Sequence, residues 1–195
     1  MDGEAGPVGW DRDAARHLAA VSEAVYGVTT ALPRILALHR ELKVPATFFL
    51  PAHVAERHPD ALEAILADGH EVAHHGYLHE NVFGMAESDE RAMFERGAAI
   101  LERLTGHAPR GWSAPGWGIT AQTLRIMADR GMVYDASLME RDLPYFVGTA
   151  AGELVELPIS LVLDDWSLFG ATLHGAGASY TAPAEEAERI WREEF

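Results

Sequence analysis

The stretch "ATFFLPAHVAERHPDALEAILADGHEVAHHG" (residues 46–76) decides the fold. It opens on a short, almost wholly apolar run closed by Pro51, the pattern of a strand buried on both faces of a parallel sheet. A helix follows, with Pro59 near its start and Gly69 just past its end. "HEVAHHG" then reads as a second strand. Strand, helix, strand within thirty-odd residues implies a crossover connection and parallel pairing.

The same alternation extends outward in both directions. Upstream, "TALPRILALHREL" (residues 30–42) places Leu32, Ile35, Leu36 and Leu42 near one helical face, ahead of a break at "KVP". Downstream, "ESDERAMFERGAAILERLTG" is an amphipathic helix closed by Gly106, and its charge-rich part (residues 87–103) is expected to be a solvated face. "RGWSAPGWG" is a strand running into a Gly/Pro loop, and "TAQTLRIMADRG" is a helix capped by Thr120. "MVYDASL" and "LVELPIS" are further strands, and "PAEEAERIWREEF" is a last helix with a solvated surface. The expected class is α/β, with a largely parallel sheet covered on both faces or closed as a barrel. Functional residues in such folds gather at the carboxyl ends of the strands.

Composition bounds the function. The chain has 195 residues, enough for one domain with a substantial core. Acidic residues outnumber basic ones 30 to 15, for a formal net charge of −15. That field repels phosphate backbones and anionic membranes, so neither nucleic acid nor membrane is an expected partner. There is no cysteine, which excludes thiolate metal sites and disulfides. No apolar run reaches transmembrane length and no basic-then-apolar leader opens the chain, so a cytoplasmic protein is expected.

The chemistry concentrates in "GHEVAHHGYLHE" (residues 69–80), which holds four of the ten histidines. His75 and His79 stand four apart on a strand-to-loop turn that includes Gly76. Neutral imidazoles suit zinc and similar divalent ions. Two histidines with one carboxylate leave coordination positions open for water and substrate. On spacing alone, packing or surface exposure accounts for such a pair equally well. If His75 faces the site, His74 points to the opposite face of the strand, and His74, His70, His53 and His58 are read as packing or surface residues.

"PATFFLPAHVAERHP", "GHEVAHHGYLHE", "RGWSAPGWG", "YDASLM" and "LVELPIS…DDW" occur in the order and spacing of one known family. Together they resemble the polysaccharide deacetylase (NodB-homology) family, particularly its peptidoglycan-deacetylase-like, allantoinase-like and cyclic-imidase-like branch. The resemblance implies a distorted (β/α) barrel of the NodB type formed by residues 1–195 as one domain, with the first and last strands expected to lie off the chain. It implies a divalent cofactor, zinc foremost with cobalt or nickel as alternatives, held by Asp2, His75 and His79. Asp2 is identified as the tail of a Phe-Asp-x-Asp-x-Glu motif. The family's general base would then precede Met1, and its Leu-x-His-Pro histidine would follow Phe195. His174 in "TLHG" is read as a false match to that histidine, and Glu4 as a substrate residue or a neighbour of the ligands.

By the same resemblance, the backbone N–H groups of Gly116 and Trp117 would form an oxyanion hole. Ser113 stands where the family has an arginine, and Arg110 would face the wrong side of the strand to replace it. Trp112, Ser113 and Trp166 are candidates to contact substrate, as is Trp117 by its side chain. Asp165 would orient the leaving-group histidine. Asp135 would hold its loop through hydrogen bonds. The implied activity is metal-dependent hydrolysis of a C–N bond, in an N-acetylated sugar or a small cyclic amide, imide or ureide, in a protein that is a candidate homo-oligomer. The alternative is a deacetylase-like domain that binds without catalysis, or a truncated product with no activity.

Overall fold

The computed structural model describes Ser22, residues 25–169 and residues 182–194. A five-residue π-helical turn, Gly27–Ala31, runs into α1 (Leu32–Leu42). Leu32 and Leu36 are buried, whereas Ile35 and Leu42 are exposed, so the apolar face is narrower than the spacing suggests. β1 (Thr47–Leu50) leads into α2 (Ala52–Arg57), a short helix not anticipated from periodicity, and α3 (Pro59–Ala67). β2 (Glu71–His74) and a loop precede the long α4 (Glu87–Thr105), which ends on Gly106 in the left-handed conformation.

β3 (Gly111–Trp112) runs into a 3₁₀ turn, Pro115–Trp117. α5 (Ala121–Asp129) starts at a reciprocal cap between Thr120 and Thr123, as the Thr-x-x-Thr spacing permits. β4 (Tyr134–Asp135), β5 (Tyr145–Thr149) and β6 (Gly152–Glu156) follow, and then α6 (Asp165–Phe169) and α7 (Ala184–Glu194). The sheet order is β1-β2-β3-β4-β6-β5; β5 pairs antiparallel with β6 and every other pairing is parallel. Among the described residues this parallel-dominated sheet is open, with β1 at one edge and β5 at the other.

One rung of the sheet crosses all six strands. Leu50, His74, Trp112, Asp135, Glu156 and Tyr145 are successive register partners. Register partners project to the same face, so this rung sets what lies beneath the strand ends. Its middle packs against α4: the His74 ring meets Phe94 and Trp112 at centroid distances of 4.6 and 4.8 Å. Trp112, Phe94, Ile126, Met127 and Leu154 form one part of the core. Leu32, Leu36, Leu50, Leu62, Ile65 and Leu101 form another, around α1, α3 and β1. No described helix is long and apolar enough to cross a membrane.

Helix α4 is not simply a solvated face. Glu90 on it is buried, and its carboxylate accepts hydrogen bonds from the Thr123 hydroxyl and the Gln122 amide. The expectation of a wholly solvated 87–103 face is corrected on that side. A charged residue is tolerated there because both oxygens are satisfied by α5.

Candidate active site

Beyond the end of β2 the chain turns at Gly76, with φ +80°. A Cβ at this position would lie 2.8 Å from Glu80 Oε2. That oxygen accepts the backbone N–H groups of Tyr77 and Leu78 at 2.9 and 2.8 Å. The Glu80 carboxylate therefore closes the turn 76–80 from within, through two charge-assisted bonds. The guanidinium of Arg96 lies 3.5 Å from the centroid of the Tyr77 ring and holds the turn against α4. His79 is thereby kept in the left-handed region at φ +62°. Few non-glycine residues adopt that conformation, and where they do, the surrounding structure has to enforce it.

The turn brings His79 over His75. Their ring centroids are 4.9 Å apart, and both side chains are buried. His75 Nδ1 lies 2.5 Å from the Ser113 carbonyl oxygen. A carbonyl only accepts, so Nδ1 carries the proton and donates it, and Nε2 holds the lone pair. Fixing the tautomer through a backbone carbonyl is the usual way a metal-ligating imidazole is oriented. The two histidines thus suit a divalent cation. Asp2, the third expected ligand, lies outside the described residues, as do Glu4 and His174. Among the described residues no group of three His, Asp or Glu side chains is placed to hold a metal.

The adjacent histidines have other roles. His74 is wholly buried; its Nε2–H donates to the Phe94 carbonyl and its Nδ1 accepts the Gly76 N–H. Burial pushes its imidazole down to about 4, so it is neutral. His70 is buried beside Phe48 and His39, with Nδ1 accepting the Ala46 N–H. His53 packs against the Tyr77 ring at 5.6 Å.

Three of the expected assignments around β3 change. Trp112 has no exposed surface and packs into the core against Phe94 and His74. Its register with His74 turns it to the helix-covered face, which removes it from the candidate substrate contacts. Ser113 is engaged from three sides: its N–H donates to the His74 carbonyl, its carbonyl accepts from His75, and its hydroxyl donates to Ala136 at 3.0 Å. It orients the site, and its hydroxyl is not offered to a substrate. The Trp117 N–H donates to Ala114 within the 3₁₀ turn at 2.8 Å, so it is not aimed at an oxyanion. Trp117 sits at φ +54°, an outlier for a bulky residue, next to Gly116 at φ +58°.

Asp165 and Trp166 lie on exposed α6, with Trp166 57 % exposed. The element is anchored by Leu168, which packs with Ala182 and Ala187. Asp164, one residue earlier, accepts the Ser167 N–H and hydroxyl and so caps the start of this helix. Asp135, singled out in the sequence as a loop-holding residue, and Glu156, which was not, are both fully buried on β4 and β6. Ser137 links Asp135 to the β3 loop: its hydroxyl donates to Asp135 Oδ1 at 2.8 Å and accepts the Ala114 N–H at 2.9 Å.

The chain is similar to several known proteins. Over 147 residues the chain is 33% identical to a peptidoglycan deacetylase of Helicobacter pylori, a match covering 75% of this chain and 50% of that protein. The chain therefore spans about half the length of that relative. A Mycobacterium smegmatis protein assigned as a polysaccharide deacetylase superposes with a TM-score of 0.94 at 38% identity, over 99% of this chain and 68% of the other. A structure of the Puue allantoinase superposes with a TM-score of 0.81 at 28% identity, over 91% of this chain and 57% of the other. These likenesses match the expected NodB-type (β/α) barrel, here an open sheet among the described residues. The family model for polysaccharide deacetylase matches residues 23–134, more than half the chain and all of the His75–His79 turn and β3 loop, and this chain belongs to that family.

Proposed function

We propose that the chain carries the histidine half of a hydrolytic centre that cleaves the C–N bond of an N-acetylated sugar, with a divalent cation as cofactor and zinc as the favoured ion. The observation that carries this reading is the paired His75 and His79, with His75 Nδ1–H committed to the Ser113 carbonyl. His75 and His79, together with Asp2, would hold the ion. When bound, such an ion lowers the pKa of a water and polarises the scissile carbonyl.

The chain's own residues supply orientation. Ser113 keeps the His75 lone pair on the Nε2 side, and Glu80 holds the turn that presents His79. Gly116 is exposed at a backbone conformation with open space where a side chain would stand, so its N–H is the remaining candidate oxyanion donor. Trp166, being exposed, is available to an extended substrate. The proton-accepting base and the proton-donating histidine that the family resemblance implies fall outside the described residues. A second reading, a small cyclic ureide or imide as substrate, is supported by the likeness to the allantoinase structure.

Two measurements test the proposal. Zinc content of the purified chain is compared with that of the His75→Ala/His79→Ala variant; near-stoichiometric metal in the former and its loss in the latter are expected. Equal content in both would sink the ligand assignment. Turnover is then compared on N-acetylglucosamine oligomers, allantoin and cyclic imides. Acetate release from the oligomers supports the first reading and allantoin hydrolysis the second. No turnover on any of them, with metal bound, would leave a binding domain.

A further inference from the structure

Beneath the strand ends, two carboxylic acids are buried side by side. Asp135 on β4 and Glu156 on β6 are register partners, and neither has measurable exposure. One oxygen of each is well satisfied. Asp135 Oδ1 accepts the Ser137 hydroxyl; Glu156 Oε1 accepts the Ser137 and Leu138 N–H groups at 3.0 and 2.9 Å. The second oxygens, Asp135 Oδ2 and Glu156 Oε2, are enclosed, and neither accepts a hydrogen bond from a described group. A proton on one of them would let that carboxyl donate to the other and satisfy both oxygens at once. Two like charges buried at one register position on adjacent strands would otherwise repel strongly in a medium that screens poorly.

Among the described residues, neither carboxyl makes an ion pair. Tyr145 of β5, in register with Glu156, has an enclosed hydroxyl with no partner, and the Arg141 guanidinium, beside Glu140, lies 5.0 Å from its ring centroid. Trp112 of β3 does not titrate. From α5 the core-facing groups are Ile126 and Met127, while its charged Arg125 and Asp129 pair outward with Glu87 and Arg91. Glu156 is therefore bonded to backbone amides, and Asp135 is the better site for the proton. Burial and the Glu156 carboxylate push the Asp135 carboxyl up to about 8.

The pair is tied to the candidate active site by a short chain of bonds. Ser137 joins Asp135 to the Ala114 N–H, and Ser113, one residue earlier, holds Ala136 with its hydroxyl and His75 with its carbonyl. We propose that Asp135 and Glu156 share a single proton and, through Ser137, act as positioning residues for the 113–117 loop that orients His75. Only the meaning of orienting His75 rests on the hydrolase reading above. The test below uses neither metal nor substrate, so a failure of that reading would leave it standing.

An amide can mimic a protonated acid. In Asp135→Asn the new N–H₂ donates to Glu156 Oε2 while Oδ1 still accepts from Ser137; in Glu156→Gln the roles reverse. Each single variant is expected to unfold near the parent's midpoint at neutral pH. Asp135→Asn/Glu156→Gln sets donor against donor and is expected to lose more than the two single shifts added. Additive losses, or single variants as damaged as the double, would overturn the shared proton.

The pH dependence gives a second readout. A carboxyl whose pKa is raised by folding stabilises the native state at low pH, and that contribution drains away as pH rises from about 4 to about 8. Between about pH 5 and about pH 9 the midpoint of Asp135→Asn should therefore rise relative to the parent; parallel curves would count against the pair. For the loop, Ser137→Ala is expected to speed amide exchange at Ala114 about tenfold, with Asp135→Asn unchanged. Unaltered exchange in Ser137→Ala would overturn the positioning role.

Discussion

At the scale of single residues, the site depends on groups that hold its histidines rather than on the histidines alone. Glu80 satisfies two backbone N–H groups with one oxygen. Replacing it with alanine leaves both donors without that partner, at a cost of roughly 1–3 kcal/mol. The prediction is a lowered unfolding free energy by denaturant titration, together with weaker zinc binding by chelator competition. Glu80→Ala with unchanged affinity would show that the turn holds His79 without it. This role was hidden in the sequence, where Glu80 is an ordinary acidic neighbour of His79. The His-x-x-x-His spacing was legible; the carboxylate that shapes the turn became visible only when the chain's curvature was known. Trp112 teaches the converse. Its place beside a motif loop suggested substrate contact, but the register with His74 turned it into the core.

At the scale of elements, the packing of α4 on β2 turns on a missing side chain. Gly97 lies against the His74 ring: a Cβ there would stand 2.5 Å from His74 Cε1 and 3.2 Å from the Gly76 carbonyl. Gly97→Ala gains helix propensity of about 1 kcal/mol. Against this, the ring is fixed by bonds to Phe94 and Gly76 and cannot step aside, and overpacking a rigid core costs about 1–3 kcal/mol. The clash should win, giving a net loss in a chemical unfolding curve; a more stable Gly97→Ala would refute the close packing. The Thr120 cap was read correctly from its position before an apolar period, and the structure adds the returning bond from Thr123. Replacing Thr120 with alanine should cost about 0.5–2 kcal/mol of folding stability, measured the same way.

At the scale of the whole molecule, the pH dependence of stability combines two buried groups that act in opposite senses. His74 is buried neutral with a pKa lowered to about 4, from 6.5 when unfolded. A base lowered by folding contributes stability that is present above its unfolded pKa. That contribution is lost as pH falls from about 6.5 through about 4. The raised Asp135 acts in the opposite sense, losing its contribution as pH rises toward about 8. The two contributions run in opposite directions and nearly cancel between about pH 4 and about pH 6.5, so a pH series of unfolding midpoints should be flat there and fall from about pH 6.5 to about pH 8. His74→Gln should make the fall begin at about pH 4, and Asp135→Asn should remove the alkaline fall and expose the His74 loss below about pH 6.5.

What the sequence determined by itself was the alternation of elements and the identity of the histidine turn, because both are encoded locally. An apolar run ended by proline, a helix closed by glycine and a four-residue histidine spacing need no knowledge of distant neighbours. β5 escaped such reading because "YFVGT" is a short hairpin strand whose burial alternates but whose largest purely apolar residue, Phe146, is on the exposed side at 72 %. Buried Glu90 and the Asp135–Glu156 pair escaped for a deeper reason. Whether a carboxyl is solvated, satisfied or protonated depends on which groups face it, and those come from residues 19 to 33 positions away in the chain. The tertiary structure alone brings β6 beside β4, and with it an acid pair beneath the loop that holds His75.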